Sequence, residues 1–398
     1  MSKLSRVIKA AAGVFLLLAA ATVAVSAQTL TTLYSFHGSD GSNPFAGLMQ
    51  ASNGNLYGTT SAGGANGDGT VFQITTSGTL TTKHNFNRFN PTDGSQPYAG
   101  LIQATDGNLY GTTYRGGSHN VGIVYRITTS GTMKTLHDLD YQPDGALPYA
   151  GLVQATNGQF YGTASNGGGE FGTAFIATAF GQYIPIYTFI NSLNGANPVA
   201  GLVQASNGNL YGAADSGGSD GCGALFEMTL SGAYTMLHDF TGDDGCSPQA
   251  TLVQGTDGNL YGTTIDGGAG GQGHNYGAAF NITPSGTFTL LHTFDGTDGT
   301  LPTGALIQAN DGNFYGTTQY GGAYNEGTIF KMTPSGAVTT LYSFCPQTHC
   351  NDGANPYAGL IQGSDGVFYG TTFNGGGGND GTVFSLSVGL SPIVRTAE

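Results

Sequence analysis

The sequence has no tryptophan, only 10 Lys and Arg, and 9% charged residues among 398 positions. An ordinary soluble protein carries roughly 25% charged residues. So few cations exclude the basic stripe that a nucleic-acid binder needs to neutralise phosphates. Beyond residue 25 no apolar run approaches the roughly 20 residues that span a bilayer, and no 3.6-residue apolar period marks a helix. No G-x-S-x-G elbow, H-E-x-x-H pair, EF-hand loop or phosphate loop with its Lys is present. What is abundant is glycine, with 69 residues, alongside 21 Tyr and 22 Phe. A hydrophobic share of 39% speaks against disorder, and the missing G-X-Y period excludes collagen. Glycine punctuation between short apolar runs predicts all-β structure with many turns.

The N-terminus is organised differently. Lys3, Arg6 and Lys9 precede the apolar residues 10–25, and Val25-Ser26-Ala27 offers small residues before Gln28. This is the order and size of a secretory signal peptide. The apolar stretch, about 16 residues, is short for a membrane anchor. Residues 1–27 are therefore expected to be cleaved, leaving a secreted or periplasmic (cell-envelope) chain without a transmembrane segment. Seven basic and 24 acidic residues remain, for a charge of -17.

A phrase beginning Gly47-Leu48-Met49-Gln50 and running through Asn53-Gly54-Asn55-Leu56-Tyr57-Gly58 recurs seven times. Its glutamine falls at Gln50, Gln103, Gln154, Gln204, Gln254, Gln308 and Gln362. A fixed period near 50 residues means one supersecondary unit per repeat, the length of a propeller blade. Each repeat reads as four strands. Strand A carries the glutamine. An Asn-Gly or Asp-Gly hairpin turn leads to strand B, such as Leu-Tyr-Gly-Thr-Thr at 56–60. A Gly-Gly loop leads to strand C at 69–75, and a Ser-Gly turn to strand D.

The last repeat stops after strand C at 381–387, while the mature chain opens with Thr31-Thr32-Leu33-Tyr34-Ser35-Phe36. That matches the strand D sequence Thr339-Thr340-Leu341-Tyr342-Ser343-Phe344 residue for residue. Ring closure would remove two exposed sheet edges. The expected fold is all-β: a seven-bladed β-propeller of four-stranded blades, closed by the N-terminal strand completing the last blade. It forms one domain, 28–388, with a tail at 389–398, and a monomer is expected.

Two phrases carry a family resemblance: Tyr315-Gly316-Thr317-Thr318-Gln319-Tyr320-Gly321-Gly322, and the Gly-Thr-x-Phe-x-x-Thr-Pro-Ser-Gly run at 327–336. The chain resembles the GloVer-type tandem repeat of exported bacterial proteins over residues 29–388. The resemblance implies a secreted, propeller-like fold and transfers no activity. Asp-Gly-Asn-Leu-Tyr-Gly is also similar to the Asp-Gly-x-Leu-Trp phrase of sensor propellers, with Tyr in place of Trp.

His84, His137, His238 and His292 share one strand D position with Tyr34, Tyr187 and Tyr342. A slot filled by His or Tyr in separate blades is a packing or hydrogen-bonding slot, and its members cannot converge on one ion. The seven glutamines are expected to bond across blade junctions, since buried polar groups need partners. Four cysteines allow three pairings. The local pairing, Cys222–Cys246 and Cys345–Cys350, is favoured. A metal site at Cys345, His349 and Cys350 lacks a fourth ligand.

In an up-and-down blade the B–C and D–A connections emerge on one face and the short hairpins on the other. Sixteen of the 24 acids fall on the face with long, variable connections, offset there only by Arg88 and Arg115. Such a face attracts cations or a basic partner, and its oxygen ligands suit Ca2+. Yet Asp-Gly pairs recurring in phase at Asp40, Asp93, Asp144, Asp244, Asp298 and Asp352 also read as turn chemistry. Candidate binding residues are those that break the repeat: Arg88, Tyr114, Arg115, His119, Glu170, Phe171, Asp215, Asp266, His274, Tyr276, Tyr320, Tyr324, Glu326 and Phe373. They suit recognition of a glycan, a peptide or a protein surface, with no catalytic residue assigned. The alternative is a glycan-cleaving hydrolase or lyase using two carboxylates of that face, with spacings of about 5 Å or roughly 6.5–9.5 Å.

Overall fold

The computed structural model describes residues 28–190, 192–269 and 276–393. The expected signal peptide, His274 and residues 394–398 lie outside them. Seven blades of four antiparallel strands follow the repeat in phase, the third with an added parallel pair between Gly167–Gly168 and Phe171 and Gly172. The first blade joins Met49–Gln50, Leu56–Thr60, Thr70–Ile74 and Leu80–Asn85 in that order. The seventh joins Ile361–Gln362, Phe368–Thr372, Thr382–Ser387 and, as its outer strand, Thr29–Ser35. Thr29 pairs with Ser387 and Ser35 with Thr382. The first strand of the described chain therefore completes the last blade, and the fold is a closed seven-bladed propeller.

The strand sequences explain the sheet. Strand B is buried throughout, as in the Leu-Tyr-Gly-Thr-Thr of Leu56–Thr60. Its glycine is a packing requirement: a Cβ on Gly58 would lie 2.6 Å from the Phe72 ring and 2.9 Å from Leu48. Strand A is shorter than expected, with only its third and fourth positions paired. Strand D carries a register shift in every blade, such as that between Val71–His84 and Phe72–Thr82. Such bulges strengthen the local twist.

The core lies between blades rather than within them. Seven apolar clusters occupy the seven junctions. The junction that closes the ring packs Phe36, Tyr369 and Val383 of the seventh blade against Leu48, Leu56, Phe72 and Ile74 of the first. Each fully buried side chain of this kind contributes about 1.5–3 kcal/mol.

The strand A glutamines form a second closure. The Oε1 of each accepts a backbone N–H from the A–B turn of the preceding blade. The seven donors are Ser52, Thr105, Thr156, Ser206, Thr256, Asn310 and Ser364, at 2.7–3.1 Å. Six of the glutamines also donate Nε2 to the turn glycine carbonyl of their own blade, as Gln50 does to Gly54.

Both disulfides expected from local pairing are present, Cys222–Cys246 and Cys345–Cys350. The second removes the thiolates on which a Cys345–His349–Cys350 metal site would depend. Among the described residues no helix is long and apolar enough to cross a membrane.

Candidate functional site

The D–A and B–C connections gather on one face, where they pair. Ser42 bridges Ala62, Ala146 bridges Asn166 and Cys246 bridges Asp266, and Gly94–Ser95 pairs with Arg115–Gly116. Each D–A connection then reaches a proline and delivers the next residue to the mouth of the central channel. Those seven residues are Phe45, Tyr98, Tyr149, Val199, Gln249, Thr303 and Tyr357. All of them line a cavity of about 330 Å³ on the ring axis. Two residues further on, backbone closes the throat: a Cβ on Gly359 would lie 2.1 Å from the Ala305 carbonyl oxygen, and one on Gly151 3.1 Å from that of Gly100.

The well breaks the sevenfold pattern. Its aromatic members come from consecutive positions around the ring and touch one another. Phe45 lies 4.6 Å from Tyr357, 5.0 Å from Tyr98 and 5.4 Å from Tyr149 between ring centroids, and Tyr98 lies 5.3 Å from Tyr149. Tyr114 extends this floor at 4.9 Å from Tyr98, and Phe373 extends it at 5.2 Å from Tyr357. Burial, with the neighbouring Tyr98, Tyr357 and Tyr114 hydroxyls and Asp215, raises the pKa of the Tyr149 phenol.

The opposite sector is polar. Gln249 Nε2 donates to Asp215 Oδ1 at 2.9 Å. Thr303 Oγ1 donates to the Tyr357 carbonyl at 2.8 Å. Burial pushes the Asp215 carboxyl up, partly offset by hydrogen bonds from Gln249 and Ser247. Burial and then the Asp215 charge push Asp266 up as well. The Cys222–Cys246 bridge ties this sector together: the Cys222 carbonyl accepts from Ser247 N, and Cys246 N donates to the Asp266 carbonyl. Pro248 and Gln249 follow directly.

Most other acids of this face are committed to structure. His84, His137, His238 and His292 bond through Nε2 to Asp93, Asp144, Asp244 and Asp298 at 2.6–3.1 Å. Tyr342 bonds Asp352 at 2.8 Å, and Tyr34 bonds Asp40. The shared His/Tyr slot therefore holds the Asp-Gly turn of its own D–A connection. Asp68 is buried beneath Arg88, accepting its backbone N–H at 2.9 Å. Among the described residues no group of three or more His, Cys, Asp or Glu is placed to hold a metal ion. The Ca2+ expectation gains no ligand set from them.

Of the residues proposed from sequence, Tyr114, Asp215 and Phe373 adjoin the well. Tyr320 and Arg115 lie at its rim: burial and then the neighbouring Tyr320 raise the Tyr357 pKa, and Arg115 lies over the Tyr114 ring at 5.5 Å. Asp266 sits beside Asp215. Arg88, held by Asp68, and His119, near Ser118, lie on the outer loops. So do Glu170, in a positive-φ turn, and Phe171, which opens a strand C. Tyr276, Tyr324 and Glu326 stand on the loops of other blades; Glu326 holds Asn355 N through its backbone carbonyl. The well does not bring these together. Sequence reasoning missed Phe45, Tyr98, Tyr149, Gln249 and Tyr357. Their signal was one repeat position, directly after an unvarying proline, whose chemistry changes from blade to blade.

The fold and this well define an asymmetric propeller with an axial cavity. The Gloeobacter/Verrucomicrobia repeat model matches residues 19–204 and 169–384, and the chain belongs to that family. No curated protein matches it by sequence. Among solved structures the chain is similar to the periplasmic gluconolactonase of Pseudomonas aeruginosa, at 16% identity over 88% of this chain and 97% of that one, with TM-score 0.48. It is also similar to a gluconolactonase of Xanthomonas campestris, at 11% identity, 92% and 91% coverage and TM-score 0.48. A third is a protein of unknown function from Bacteroides thetaiotaomicron, at 12% identity, 86% and 90% coverage and TM-score 0.47. Likeness at this level does not extend to activity.

Proposed function

We propose that the protein is an exported binding module whose ligand enters the central well of the variable-loop face. One observation carries this: the position after the proline is aromatic at Phe45, Tyr98, Tyr149 and Tyr357 but polar at Gln249 and Thr303, on a scaffold otherwise close to sevenfold. A purely structural ring has no need of that asymmetry. Two disulfides suit an oxidising compartment, in keeping with the signal-peptide reading of residues 1–27. A thermal-shift screen of the mature protein against glycans, peptides, calcium and a chelator tests the proposal. A ligand-dependent rise in Tm that disappears in Tyr357→Ala supports it. A rise unaffected by that substitution contradicts it.

The second reading is glycan cleavage. It is favoured by Asp215 and Asp266 lying side by side with both carboxyls pushed up. Release of reducing ends from a polysaccharide, abolished by Asp215→Asn or Asp266→Asn, would replace the binding reading with this one.

A further inference from the structure

We infer that the ligand group seated in the well is the ring of a neutral pyranose sugar. It stacks on the aromatic floor with its hydroxyl edge toward Gln249 and Thr303. The inference rests on the well being the binding site.

Four features select this chemistry. The cavity of about 330 Å³ is at the low end of the about 300–1,000 Å³ typical of small-molecule sites, so it takes one ring and not a protein surface. The floor is continuous. Its rings touch at 4.6–5.4 Å between centroids and leave no gap between facing walls for an organic cation to occupy. The rings are inclined to one another by 31–87°, so a single ring face, not the whole floor, offers the apolar plate that matches the C–H face of one pyranose. The polar sector is rich in acceptors. Gln249 gives its Nε2 to Asp215 and keeps Oε1 for a ligand, and Thr303 donates its hydroxyl to the Tyr357 carbonyl and keeps its lone pairs. Acceptors of this kind suit a ligand whose edge is a row of O–H donors. Finally, Asp215 and Asp266 stand behind Gln249 with no cation bonded to either among the described residues. An anionic ligand such as a phosphate, sulfate or uronate would meet like charge there.

The test is calorimetric or ligand-observed NMR titration of the mature protein. The probes are methyl glycosides of glucose, galactose, mannose and N-acetylglucosamine, with glucuronate as the charged control and tetramethylammonium as the cationic one. Tyr98→Ala, Tyr357→Ala and Gln249→Ala are titrated in parallel, each checked for an unchanged CD spectrum. Tyr98→Phe keeps the stacking surface should Tyr98→Ala misfold. The expected result is binding of at least one neutral glycoside, weakened at least tenfold by each Ala variant and less than threefold by Tyr98→Phe, with glucuronate at least tenfold weaker. Tetramethylammonium binding that the Ala variants remove, with no glycoside bound, overturns the sugar while leaving the well as the site. Glycoside binding that all three variants retain, or no binding by any probe, overturns both.

Discussion

Gln50 accepts the backbone N–H of Ser364 at 2.9 Å across 314 residues of chain. The same bond repeats at six other junctions, so the glutamine ring has no first or last member. In Gln50→Ala two hydrogen bonds disappear, each worth about 0.5–1.5 kcal/mol. A loss of about 1–3 kcal/mol in urea unfolding is expected, and Gln308→Ala, which removes the same two bonds at a junction far from the chain ends, should lose the same. A much smaller loss for Gln50→Ala would mean that the closing junction is not formed.

Tyr125 occupies a strand C position held by Phe in the other six blades: Phe72, Phe175, Phe226, Phe280, Phe330 and Phe384. Its hydroxyl is the one buried side-chain polar atom without a hydrogen-bond partner among the described residues. An unsatisfied buried hydroxyl costs about 1–3 kcal/mol. Tyr125→Phe should therefore raise Tm, with a gain on the order of 1 kcal/mol. A drop in Tm would show that the hydroxyl has a partner.

The Cys222–Cys246 bridge closes a loop of 24 residues' separation, for which chain entropy gives about 3.5 kcal/mol. The other six junctions hold the corresponding connection without a disulfide between the two loops, through backbone bonds such as that from Asn43 N to the Asp380 carbonyl. Cys222→Ser/Cys246→Ser should therefore fold into an intact ring that is less stable by about 2–4 kcal/mol. Because the bridge sits two residues before Pro248, any ligand of the well should bind more weakly. Affinity unchanged in the double variant would separate the bridge from the site.

Burial raises the Asp215 carboxyl, so its charged form is disfavoured in the folded state. Its contribution is most favourable below the unfolded value of about 3.9 and is lost as pH rises through the folded value. Asp215→Asn should therefore gain stability relative to the wild type as pH rises through that window, and the gain should then level off. Asp311 behaves oppositely. Burial pushes it up, but the Asn313 and Lys331 hydrogen bonds outweigh this and hold it low. Asp311→Asn should cost stability at neutral pH, and that cost should fade as pH drops below 4. Tm against pH for both variants checks the two signs.

The ring was legible in the sequence because every blade repeats the same solution. A period near 50 residues and a strand D sequence stranded at the N-terminus are enough to specify closure. The His/Tyr slot was legible for the same reason: His84, Tyr34 and Tyr342 could share a position only if it were structural. The well was harder to read. Phe45, Tyr98 and Tyr149 look like further core aromatics when each repeat is read alone. Only the ring geometry turns the residue after each proline toward a common axis, and Gln249 and Thr303 then become one wall of a cavity. The acids of that face were legible in part: the in-phase Asp-Gly pairs pointed to turns, whereas the His–Asp and Tyr–Asp bonds that hold those turns span separations varying from 6 to 10 residues, too irregular to read as pairs.

The way loops gather on one face, and with it the well, depends on Thr29–Ser35 pairing with Thr382–Ser387. Native-state amide hydrogen exchange measures this directly. The alternating ladder amides of residues 29–35 should be protected to the same free energy as those of 382–387, close to that of global unfolding. Rapid exchange across 29–35, with 382–387 still protected, would contradict the closed ring.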